Sequence, residues 1–268
     1  MNKNNKTIII FDYKPSYLGL LNYLSKVWIF LKETIIENIL EPPPGVDPLV
    51  FAVSIVGIIG QLYWLETPSQ NIITKTLKIL YQEIKGRWPC LIDLKESLEG
   101  IRYKFNDPRG NYLLKATDRI ETLINTLGKN FAECIESLYF EKLIEPGKII
   151  VFDLSRFGDV EKSLITQVYM LKIFLYRLFS ECKDCHQIIL WIDEAFVVYH
   201  FNWAKRQHEV WHQLTFFNQA REFNIGQMIL TQGPGNIMPE IMNSQTIISF
   251  NLKNYEDKQK IITAMGIN

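Results

Sequence analysis

The chain has no charge of either sign to spare. Lys and Arg number 29 and Asp and Glu number 29 over 268 residues. No global field therefore draws it toward nucleic acid, and only a local basic patch could do so. Cysteine is scarce, and four residues at this length make no disulfide framework. The N-terminus, Met-Asn-Lys-Asn-Asn-Lys, lacks the apolar core of a secretory signal, so the cysteines fit a reducing cytoplasm. Repeats and low-complexity tracts are absent. Long apolar runs are missing too, with one exception. Pro48 to Leu65 carries no charge and approaches the roughly 18 residues that can span a bilayer. Ser54, Gly57, Gly60 and Gln61 interrupt it and basic flanks are absent, which favours a buried helix over a membrane span.

What is present is an apolar fraction of 47%, ordinary for a globular chain and sufficient for one large α/β domain or one domain with an insertion. Thr7 to Phe11 reads as a buried strand delivering Asp12 to a loop. Tyr17 to Leu24 suggests a short helix and Val27 to Leu31 a second strand. Glu41-Pro-Pro-Pro-Gly-Val-Asp-Pro48 breaks regular structure, and Asp47 is placed to cap a helix opened by Pro48. The pattern is then mostly helical to about Phe140, with a helix from Pro68 or Ser69 to Ile84. Another spans Lys115 to Asn130, where Ile120, Leu123, Ile124 and Leu127 share one face. From Lys148 strands and helices alternate. The predicted strands are Lys148–Phe152, Gln187–Ile192, Gly226–Leu230 and Thr246–Phe250. The predicted helices are Glu161–Ser180, Trp203–Phe223 and Tyr255–Met265. Apolar rather than alternating strands predict a parallel sheet of about five strands covered on both faces, with a mostly helical insertion over about 42–145.

Ligands of parallel α/β sheets bind at the carboxyl ends of the strands. Here those ends carry Asp12, Asp153, Asp193 with Glu194, and Thr231 with Gln232. Asp12 and Asp153 taken singly read as polar exits from buried strands. Asp193-Glu194 follows the apolar run Ile188 to Ile192, the arrangement a metal-assisted nucleotide hydrolase needs. One carboxylate serves the Mg²⁺ shell and its neighbour orients or deprotonates the attacking water. Downstream, Ala220-Arg221-Glu222-Phe223-Asn224-Ile225-Gly226 ends a helix and turns into a strand closing on Thr231-Gln232.

Taken in order, these motifs resemble the HerA/FtsK superfamily of DNA-pumping P-loop ATPases, with the HerA-like and conjugative-transfer coupling-protein-like branch the most similar. Ile188 to Phe196 resembles its Walker B strand. Ile8 to Lys14 resembles the strand after the P-loop helix, and Leu40 to Pro48 its proline-rich segment ahead of a helical insertion. The resemblance implies a RecA-like sheet flanked by helices, ATP and Mg²⁺ as cofactors, DNA as the track and a homo-oligomeric ring or a longer ATPase as partner. It further implies that Asp193 is the Mg²⁺-shell aspartate and Glu194 the catalytic glutamate. Thr231 would contact nucleotide, Gln232 would sense the γ-phosphate, and Arg221 would reach a neighbouring subunit's nucleotide. Arg221 reads equally as a solvated helix end beside carbonyl groups.

One part of the pattern is missing. No Gly-x-x-x-x-Gly-Lys-Ser/Thr occurs, and Gly128-Lys129 and Gly147-Lys148 have neither a glycine loop before them nor a hydroxyl after them. Such a loop supplies the backbone N–H cradle for phosphates. In the family it would lie just ahead of Thr7, so the expectation is an incomplete ATPase domain over 1–268, truncated or nucleotide-dead, with little hydrolysis on its own. Two other motifs compete. His208-Glu209-Val210-Trp211-His212 has the zinc metallopeptidase form, with Glu222 or Glu240 as the third ligand it would need. Cys182-Lys-Asp-Cys185-His186 has the spacing of c-type haem attachment, which requires export. A third class is a non-catalytic ring subunit, with Trp203, Trp211, Phe216 and Phe217 as partner surface.

Overall fold

The computed structural model describes residues 5–22, 24, 26–104, 106–137, 140–180, 185–199, 218–233, 237, 241, 246–249, 252 and 254–266. Five strands make one sheet: β1 (Thr7–Asp12), β2 (Val27–Phe30), β3 (Ile149–Asp153), β4 (Ile188–Ile192) and β5 (Ile225–Ile229). Their spatial order is β2-β3-β1-β4-β5, and every pairing is parallel. Parallel neighbours need long crossovers, and helices supply them. These are α1 (Pro48–Tyr63), α2 (Thr67–Glu83), α3 (Leu91–Gly100), α4 (Arg109–Leu127), α5 (Lys129–Ala132), α6 (Phe140–Leu143) and α7 (Asp159–Phe179), with α8 (Tyr255–Ala264) beyond the sheet. The chain runs through α1 to α6 between β2 and β3, the stretch that the sequence predicts to be mostly helical.

Local chemistry sets the elements. The Asp47 carboxylate accepts the Leu49 N–H at 2.8 Å and Pro48 opens the first turn, so α1 starts where the sequence predicts. It ends on Trp64 in the left-handed region, with the Leu65 N–H returning to the Gly60 carbonyl at 2.9 Å. Phe51, Ile55, Ile59 and Leu62 are buried, and α1 packs on α2 and α7. Among the described residues no helix is long and apolar enough to cross a membrane. The Pro48–Leu65 run folds mainly as α1, with most of its residues buried and Leu49, Val50, Val53 and Trp64 exposed.

The register aligns Phe30, Phe152 and Phe11 across β2, β3 and β1. Their rings stack at centroid distances of 5.4 and 5.7 Å, and Tyr169 of α7 covers Phe152 at 4.4 Å. α7 is buried almost all round from Ser163 to Leu175, as befits a helix with protein on every side. Its polar groups therefore need internal partners. Thr166 bonds the Tyr13 hydroxyl at 2.7 Å, and Arg177 donates to the His186 carbonyl at 2.8 Å. Lys172 meets Glu37 in an ion pair whose side chains are only 3% and 2% exposed. The Lys172 ammonium also donates to the Asn38 carbonyl at 2.9 Å, and the Tyr169 hydroxyl donates to Glu37 at 2.9 Å.

Several expectations need correction. Thr246 to Ser249 are not in a strand, and Ile248 is 76% exposed, so the run buries too little to join the sheet; Phe250 lies outside the described residues. The Tyr17–Leu24 helix is a 3-10 turn at Leu18–Asn22. The fourth helix begins at Arg109 rather than Lys115. Most of the Trp203–Phe223 helix lies outside the described residues, and its end is a 3-10 turn, Ala220–Phe223.

The buried pair generates a stability prediction. Lys172→Met strands the Glu37 carboxylate and is expected to lower unfolding stability by about 3–5 kcal/mol in urea denaturation. Adding Glu37→Leu to it should restore most of that loss, because the uncompensated charge disappears with the second partner. A Lys172→Met protein as stable as the parent would contradict the pairing.

Candidate functional site

The carboxyl edge of β3, β1, β4 and β5 gathers the polar exits. Asp12 and Asp153 are paired positions at the ends of β1 and β3. Asp12 is fully buried and accepts the N–H groups of Lys14 at 3.1 Å and Tyr17 at 2.9 Å, so its carboxylate organises its own loop. Burial, outweighing these amide bonds, raises its pKa above the ordinary aspartate value. Asp153 accepts the Ser155 N–H at 3.0 Å in a similar turn. Both residues act as the loop-forming exits that the sequence allowed.

Asp193 stands one position past β4, its N–H reaching the Phe11 carbonyl at 3.3 Å. One carboxylate oxygen accepts the Glu194 N–H at 3.0 Å. Burial first, and then the neighbouring Glu194 charge, raise its pKa against the opposing pull of that amide and of Lys14. Glu194 has φ 48° and ψ 50°, the left-handed region, which costs a residue with a Cβ about 1–2 kcal/mol. The fold holds it there on both sides. The Ala195 N–H bonds the Leu230 carbonyl at 2.8 Å, and the Leu230 N–H bonds the Ile192 carbonyl at 3.0 Å. Those two bonds also bring Thr231 and Gln232 off β5 alongside Asp193 and Glu194.

The structure adds one residue that sequence reasoning did not assign to the site. The Lys14 ammonium donates to the Glu194 carboxylate, with side-chain exposures of 58% and 8%. That hydrogen bond, reinforced by the charges of Glu194 and Asp193, raises the Lys14 pKa above the ordinary lysine value. Arg221 does not join the group. It is exposed in the turn ahead of β5, at the amino edge of the sheet, and the five-residue strand separates the edges by about 16 Å.

Among the described residues no three His, Cys, Asp or Glu side chains are arranged to hold a metal ion. Asp193 offers one carboxylate, which suits Mg²⁺ carried mainly by water and phosphate rather than by a protein cage. His208 to His212 and Glu240 lie outside the described residues, and Glu222 is exposed. Cys182 lies outside them as well. Cys185 is disulfide-bonded, which leaves it no thiol for haem and departs from the reading of all four cysteines as reduced thiols; Cys90 and Cys134 are free and buried.

No protein-family model and no curated protein matches the chain. Solved structures do. VirB4 of Thermoanaerobacter pseudethanolicus aligns over 100% of this chain and 75% of its own, with a TM-score of 0.66 at 15% identity. The bacterial conjugative coupling protein TrwBdeltaN70, in its unbound monoclinic form, aligns over 97% of this chain and 66% of its own, with a TM-score of 0.50 at 11% identity. The chain therefore shares their α/β, RecA-like fold.

The raised pKa of Asp193 carries a pH signature. A carboxyl that holds its proton more tightly when folded opposes folding once it ionises. Its penalty is absent below the ordinary aspartate pKa of 3.8 and grows as pH climbs through the raised value. Asp193→Asn is thus expected to raise the Tm at pH 7, with a smaller gain at pH 4, in calorimetric scans across that range. A gain independent of pH would refute the assignment.

Proposed function

We propose that this chain, built on the fold of conjugation ATPases, is the Walker B and sensor half of a HerA/FtsK-like, DNA-translocating motor. The observation that carries the proposal is the convergence of Asp193-Glu194 from β4 with Thr231-Gln232 from β5 at one carboxyl edge. In this reading residues 1–268 form one RecA-like domain with an insertion over about 42–145.

Asp193 keeps one carboxylate oxygen on the Glu194 amide and turns the rest of its charge to a Mg²⁺ shell. Glu194, held in a fixed backbone geometry, orients a water for attack on the terminal phosphate. Thr231 would lie against the nucleotide, and Gln232, just beyond β5, would report the γ-phosphate. ATP with Mg²⁺ would supply the phosphoryl group that these residues act on. Arg221, a strand length from this edge, fits a role in a neighbouring subunit's site better than one in its own. That placement supports the ring reading, and DNA as its track is what the resemblance to DNA-pumping ATPases implies.

The 268 residues contain no glycine-rich phosphate loop. Among the described residues β5 pairs only with β4, and its Ile-Gly-Gln-Met-Ile run has no charge or proline to blunt its free edge. A strand bearing a phosphate loop would fit there. The missing loop also favours a second reading, a non-catalytic ring subunit that borrows its partners' nucleotide chemistry.

Purified chain is expected to bind Mg²⁺–ATP with a Kd of about 1 mM and to hydrolyse it little. Phosphate release assays and calorimetry measure both. Vigorous turnover that Glu194→Gln abolishes would refute the incomplete-site reading, whereas vigorous turnover that survives Glu194→Gln would refute the assignment of Glu194.

A further inference from the structure

The contact between Lys14 and Glu194 joins groups 180 residues apart, and its two ends are held very differently. Glu194 is nearly buried, and its backbone is pinned between the ends of β4 and β5. Lys14 leaves a loop organised by the Asp12 carboxylate, yet more than half of its side chain is in solvent. The charged groups packed nearby are Asp12 and Asp193, both partly occupied by backbone N–H donors. If the pair opens, the lysine is therefore the partner that swings, on a flexible four-carbon stem, while the glutamate stays.

A carboxylate with one oxygen held by an ammonium is a weaker base toward a water proton, because the adjacent positive charge favours its ionised form and the charge-assisted bond fixes its orientation. We propose that Lys14 is a latch on Glu194, holding its carboxylate out of use until a more highly charged phosphate arriving at the same edge draws the lysine away. The proposal rests on the reading of Glu194 as the water-orienting residue and concerns its regulation. It makes Lys14 a positioning residue, not a catalytic one.

The test uses the full chain labelled uniformly with ¹⁵N and with ¹³C in glutamate and lysine, the side-chain signals assigned through Glu194→Gln and Lys14→Arg. Without nucleotide, Lys14 should titrate above the ordinary lysine range and return to it in Glu194→Gln. The Glu194 side-chain carbonyl signal should be that of a rigid group in the parent and in Lys14→Arg, and of a mobile one in Lys14→Met. An identical Glu194 signal in the parent and Lys14→Met, with both folded by circular dichroism, overturns the latch whatever the protein does with ATP. Millimolar Mg²⁺–ATP should then give the parent's Glu194 the mobile signature of Lys14→Met. Amide shifts at Asp193 and Thr231 with Glu194 still rigid would overturn the release step alone. Absence of any shift up to 20-fold above the expected Kd would overturn the nucleotide-site reading itself, and with it the release step.

Discussion

The structure depends on the two-sided pairing of β1. This six-residue strand has β3 on one side and β4 on the other, partners roughly 140 and 180 residues away in the chain. Neither neighbour pairs with the other, so the sheet has no continuity without it. The same pairing sets the register that lines up Asp12 with Asp153 and places Asp193 beside the Phe11 carbonyl. The polar edge of the molecule is thus a direct product of how its central strand is buried.

Much of this was legible in the sequence because strands buried on both faces read as unbroken apolar runs. Thr7–Asp12, Ile149–Asp153 and Ile188–Ile192 are such runs, each followed or closed by an acid. The start of α1 was legible from Asp47 and Pro48, whose capping chemistry is local. Thr246–Phe250 has the same composition as a strand, but composition alone does not supply a neighbour to pair with. The ion pairs Lys172–Glu37 and Lys14–Glu194 were not legible at all. Each joins residues more than 130 positions apart, and no periodicity records which lysine meets which glutamate.

The site was legible to a similar depth. The strand ends named Asp193, Glu194, Thr231 and Gln232, and in the structure backbone hydrogen bonds from Ala195 to Leu230 and from Leu230 to Ile192 set the end of β5 beside the end of β4. The same rule named Asp12 and Asp153, which spend their acceptors on loop amides. What separates the two groups is where the backbone turns. At Asp12 and Asp153 the chain folds back over the carboxylate. At Glu194 a left-handed residue swings the chain away and leaves the side chain to a distant partner.

The long separation of β1 from its first partner in the chain has a consequence for biosynthesis. A ribosome adding about 5–20 residues per second completes β3, the first partner of β1 to be made, roughly 7–30 s after it has finished β1. Through that interval Ile8, Ile9, Ile10 and Phe11 have no sheet to enter, and the six helices made next cannot pair with a strand edge. The nascent chain therefore carries an open apolar strand until β3 is made. Slowing or speeding translation between the codons for β1 and β3 should change the fraction of soluble protein far more than the same change made after β5.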